Sequence, residues 1–169
     1  MKTQTRKLTA AGAALALCFV LPFLTLNNPQ LGNMLCLMHI PVMLCGFICG
    51  WKYGFMVGLL APILRSAILG APPMMPTAVC MTFELGVYGL CTGLFSSLLP
   101  KKLIFDYITL IIAMLLGRVA WGVATALIVG GLTFEAYLAS AFVAAVWGIV
   151  IQLVIVVPLV LAVRRTKLI

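Results

Sequence analysis

Six long apolar stretches, separated by short clusters of helix-breaking or charged residues, constrain this chain more than any other feature. They lie at about 7–26, 33–50, 53–70, 77–99, 103–129 and 137–163. Each comes near or above the roughly 20 residues that an α-helix needs to cross the hydrocarbon of a bilayer. The punctuation between them is clear: Asn27-Asn28-Pro29-Gln30, Trp51-Lys52, the proline-rich segment 71–76, Pro100-Lys101-Lys102 and Gly130-Gly131-Leu132-Thr133. The expected fold is therefore all-α: one integral membrane bundle of six transmembrane helices over residues 1–169. The first stretch follows Lys2, Arg6 and Lys7 but is longer than a signal-peptide core and lacks a small-x-small cleavage site. It is expected to remain as the first helix.

Charge supports that topology. Only 8% of residues are charged against 64% apolar, where a soluble domain carries about one-quarter charged residues. Lys2, Arg6, Lys7, Lys52, Lys101, Lys102, Arg164, Arg165 and Lys167 fall at the junctions and ends that six spans place on one side. Basic residues favour the cytoplasmic side, so both termini are expected there, in a multi-pass protein of the bacterial cytoplasmic membrane. The net charge of +8 is thus a topology signal rather than a nucleic-acid surface.

Arg65, Arg118, Glu84 and His39 lie inside the apolar stretches. A charge there costs at least about 2.5–3.5 kcal/mol, so something must compensate it. Counting the helix rise, Arg65 and Arg118 lie roughly 20 Å above the basic face, and His39 and Glu84 roughly 10 Å below the opposite surface. Four ionisable groups from four helices then share one layer, as expected of a polar binding cavity for a small solute. The alternative is an Arg65–Glu84 ion pair between helices, with Arg118 snorkelling outward. Tyr88 and Trp121 stand at matching heights to stack on a ligand, and Asn33 is a further polar contact. Gln152, deeper on the last helix, is expected to be structural. Two arginines against one glutamate favour a carboxylate-bearing solute, because guanidinium binds carboxylate bidentately.

Small residues mark helix contacts. Gly46, Gly50, Gly54 and Gly58 recur every fourth position, Gly89 and Gly93 repeat the spacing, and Ala10-x-x-x-Ala14 and Gly12-x-x-x-Ala16 line the first helix. Such spacing permits close backbone approach, within the bundle or towards a membrane partner. The six cysteines, Cys18, Cys36, Cys45, Cys49, Cys80 and Cys91, sit in apolar surroundings and are expected to pack as small apolar residues. A soft-metal site at Cys45 and Cys49 has no second ligand cluster to support it, and no metal or cofactor is expected.

The segment from His39-Ile40-Pro41 through Gly46-Phe47, Gly50 and Gly54 to Val57-Gly58 resembles the substrate-binding S components of energy-coupling factor (ECF) vitamin importers, of the riboflavin and pantothenate type. The resemblance implies a subunit that captures a water-soluble vitamin from outside and docks on a transmembrane coupling subunit with two cytosolic ATPases. It matches Ala10 and Ala14 to the docking surface, and residues 26–31 to the loop that closes over substrate. Riboflavin-type members carry Asp before Ile-Pro where this chain has His39. The first expectation for the substrate is therefore pantothenate or another carboxylate vitamin, with riboflavin next.

No Gly-x-x-x-x-Gly-Lys-Ser/Thr loop occurs, so energy must come from partners or an ion gradient. A scaffold of the cell-shape-factor type, with buried charges that only fix packing, is the competing class. An intramembrane enzyme ranks last, because Ser66, Ser96, Ser97 and Ser140 lack a nucleophile motif and His39 and Glu84 lack metalloprotease spacing.

Overall fold

The computed structural model describes residues 2–25, 36–130, 133, 135, 137, 139 and 146–165. Among these there are six principal helices and no strand: α1 (Lys2–Val20), α2 (His39–Cys49), α3 (Trp51–Leu69), α4 (Val79–Leu98), α5 (Leu103–Ile128) and α6 (Val146–Arg165). A 3-10 turn, Leu21–Thr25, extends α1, and a π turn, Met74–Ala78, leads into α4. Five of the helical segments are long and apolar enough to cross a membrane.

The second helix departs from the expected range. Its described part has only 11 residues, about 16 Å at 1.5 Å per residue. The chain does not enter it in helical conformation, because Cys36 adopts a positive φ of 48°. The His39 amide then donates to the Cys36 carbonyl at 3.0 Å across a tight turn. Pro41 falls in the first turn of α2, where a missing amide proton breaks no helical bond.

α2 is the central helix. Nine of its 11 residues are buried, from His39 to Cys49, as expected of a helix that is apolar all round. On one side Val42, Cys45 and Cys49 pack with Ala11, Ala14 and Cys18 of α1 and Val57 and Ala61 of α3. On the other, Ile40, Met43 and Phe47 meet Tyr88 of α4, Leu110 and Met114 of α5, and Val156, Val157 and Val160 of α6. The outer helices expose apolar stripes. On α5, Ile104, Ile108, Ile111, Leu115 and Val119 point outward at helical spacing, the pattern of a lipid-facing surface.

Glycine decides how closely α2, α3 and α4 approach. A methyl group on Gly89 would run into the backbone of Gly54, and one on Gly54 would lie 2.5 Å from the Gly89 carbonyl oxygen. Gly46 and Gly58 meet α4 in the same way, at Gly89 and Leu85. Overpacking a tight contact costs about 1–3 kcal/mol, so this seam holds α4 in one position. Gly50 differs from the other glycines in its series. Nothing lies within 4 Å of its added methyl, and its φ of 97° is a left-handed geometry that ends α2 and starts α3. It serves the turn rather than the packing.

Candidate functional site

Glu84 is the centre of the polar layer. The Gly89 seam presses α4 against α3 and α2, which leaves Glu84 2% exposed. Its Oε1 lies 3.0 Å from Arg118 Nη1 on α5 and 3.6 Å from His39 Nε2 at the start of α2. The Tyr88 hydroxyl, one helical turn along α4, donates to the same oxygen at 2.9 Å. Three helices thus bring three polar side chains to one carboxylate oxygen, in a place with almost no water contact.

Each neighbour is itself fixed by packing. The Tyr88 ring occupies space that a side chain at Gly117 of α5 would fill, so this glycine lets the ring lie flat against α5 beside Arg118. The His39 and Tyr88 rings are 5.4 Å apart and tilted by 55°, an ordinary aromatic contact. Arg118 reaches past Glu84 to Cys36, whose Sγ lies 3.9 Å from Nη2. The turn at Cys36 therefore lies over the guanidinium.

The cluster retains unused hydrogen-bonding capacity. Arg118 Nε and both ring nitrogens of His39 are buried and have no hydrogen-bond partner among the described residues. A buried polar atom left unpartnered costs about 1–3 kcal/mol, and the great majority of such atoms in folded proteins are satisfied. Arg118 is opposed by Glu84, so the spare hydrogen-bonding groups of the cluster act through direction.

The family model for the substrate-specific component of ECF transporters matches residues 6–160. The chain belongs to this family. No curated protein and no solved structure matches it. The chain is thus the substrate-specific component of an ECF transporter: a multi-pass membrane subunit that binds a small substrate and works with a membrane coupling subunit and ATPases.

In this S component the remaining expected site residues separate into groups. Arg65 on α3 is buried, with Nε unpartnered among the described residues, but its electrostatic neighbour is Cys18 of α1. The ion pairs of Glu84 are with Arg118 and His39, and Arg65 is in neither. Arg65 is thus next to Cys18 of α1, whereas Arg118 is held by Glu84 and Cys36. Trp121 is half-buried and stacks on Tyr137, with ring centroids 6.4 Å apart. Tyr137 also donates from its hydroxyl to the Arg118 carbonyl at 3.3 Å, and its ring fits over Gly122. Sequence reasoning did not single out Tyr137. The only signal for it was Gly122 in a helix otherwise rich in branched residues. Asn33 and the segment 26–31 lie outside the described residues.

On α1, Ala14 is 8% exposed and packs in the core with Ala11, and Ala10 is half-buried at its edge. The small residues that face outward are Gly12, Ala13 and Ala16. A second charged pair, unforeseen from the sequence, joins α5 to α6 at their basic ends: Arg164 donates through both Nη atoms to Asp106, at 2.7 and 3.0 Å.

Proposed function

We propose that the chain captures a water-soluble vitamin from outside a bacterial cell at the His39–Glu84–Tyr88–Arg118 cluster. The observation that carries this reading is the set of buried, unpartnered donors on Arg118 and His39, gathered from separate helices around one carboxylate. A structural ion pair gains most when all its donors are satisfied, whereas a binding site needs donors held ready for a ligand. Arg118 Nε, with the Nη atoms beside it, is placed to meet a ligand carboxylate. Pantothenate or another carboxylate vitamin is the first candidate, and riboflavin is second. The site is further proposed to include Arg65 as a second guanidinium, Trp121 as an aromatic wall and Asn33 as a polar contact.

The basic junctions place both termini in the cytoplasm by the positive-inside rule. The cluster then lies in the outer half of the membrane. The first helix carries the docking surface for the coupling subunit. Ala10 forms the inner edge of that surface, Ala14 holds α1 close to α2, and Gly12 and Ala16 allow a partner helix to approach closely. The scaffold reading has no observation in its favour.

The test is a ligand-dependent thermal shift of the detergent-purified protein across the water-soluble vitamins, repeated with Glu84→Ala and Arg65→Ala. One compound is expected to raise Tm by mass action, by an amount that grows with its concentration. Glu84→Ala should abolish the shift, and Arg65→Ala should reduce it. A folded wild-type protein that no vitamin stabilises would refute the proposal.

A further inference from the structure

Gln152 is fully buried on α6, and both its amide nitrogen and its carbonyl oxygen lack a hydrogen-bond partner among the described residues. It belongs to the inward stripe of α6, Gly148, Gln152, Val156 and Val160, all buried at i, i+4 spacing that keeps them on one face. An unpartnered carboxamide costs as much here as in any core, yet its neighbours on the stripe are apolar.

The register between α5 and α6 gives its depth. Asp106 and Arg164 are joined by their bidentate pair, and the two helices run antiparallel. Arg118 lies twelve positions along α5 from Asp106, and Gln152 lies twelve positions back along α6 from Arg164. Both are therefore roughly 18 Å from the pair, level to within about one helical turn. The packing agrees. Val156 belongs to the same buried cluster as Ile40, Met43 and Tyr88, and Gln152 is one helical turn from Val156, on the side away from Arg164.

We infer that Gln152 is a ligand-binding group of the same site, and that the substrate presents to it an amide-type group. A primary carboxamide offers an NH2 donor and a C=O acceptor in one plane, partners for the C=O or N–H of an amide, imide or ureide. This rests on the binding role proposed for the Arg118 cluster. Together the two groups select a solute that carries both such a group and an anionic or polar end.

Gln152→Met, near in volume, and Gln152→Leu test it, with ligand-free Tm and equilibrium affinity as readouts. The probes are riboflavin, pantothenate and biotin, which carry an imide, an amide and a ureide, and nicotinate, which has a carboxylate and no such group. One of the first three is expected to bind the wild type, and its affinity should fall about tenfold in both variants. Their ligand-free Tm should match or exceed that of the wild type, because an unpartnered amide has been removed. Variants that melt lower and bind normally would show a structural amide and overturn the inference. So would unchanged affinity, or nicotinate as the sole binder. If no probe and no other vitamin stabilises a folded wild type, the binding role itself fails, and the inference falls with it.

Discussion

α5 carries two arginine–carboxylate pairs, one near each end, and they are built differently. At the basic end Arg164 grips Asp106 through two parallel bonds, with the arginine side chain 25% exposed. Further along α5 Arg118 touches Glu84 through one nitrogen at 3.0 Å, with both side chains almost completely buried, and its Nε has no partner among the described residues. The first pair uses the guanidinium fork to the full, and its partial exposure keeps the desolvation cost low. The second holds a charge in an apolar layer with a donor to spare. Stability alone favours the first arrangement. The second is what a membrane protein needs where a polar solute must find partners without carrying its hydration shell.

Three substitutions would break or sharpen that contrast. The largest effect is expected from Glu84→Gln, which leaves the Arg118 charge uncompensated in the bundle. Breaking a buried pair from one side costs about 3–5 kcal/mol, so Tm should drop steeply and vitamin binding should vanish. Thermal unfolding with and without ligand measures both. Arg118→Lys keeps the charge but removes the planar fork. Affinity should fall about tenfold or more while ligand-free Tm changes little, a separation that titration calorimetry beside a melting curve would reveal. The smallest effect is expected from Asp106→Asn. Loss of this partly exposed pair should lower stability by about 1 kcal/mol and leave affinity within about twofold. Equal damage to binding from Asp106→Asn and Arg118→Lys would erase the distinction between the two pairs.

The site was partly legible before the fold was known. Tyr88 follows Glu84 by four positions, the spacing at which helical side chains meet, and the hydrogen bond between them is a local consequence. The shared depth of His39, Glu84 and Arg118 followed from counting residues along helices of constant rise. What counting could not supply was azimuth. Arg65 has a depth similar to that of Arg118, yet only Arg118 of the two arginines is an ion-pair partner of Glu84, because the rotation of each helix about its axis decides which side chains meet. The Asp106–Arg164 pair was hidden for the same reason: it depends on the register of two helices far apart in the chain. The small residues of α1 were legible as a contact surface, but not which contact each makes, since Ala14 turns inward and Gly12 outward.

The sequence by itself determined that the chain is a bundle of apolar helices, where those helices break, which junctions carry basic charge, and which family the chain joins. These properties are written in composition and in spacing along one dimension: apolar length, the positions of proline and glycine, and a motif from His39 to Gly58. Only the tertiary structure decided which arginine meets Glu84, that the short α2 lies at the centre of the bundle, and that Gln152 shares the level of Arg118. Those depend on the rotation and sliding of packed helices. Here they are set by backbone contacts such as Gly54 against Gly89, where the absence of a side chain lets two helices touch and so fixes which way all the other side chains point.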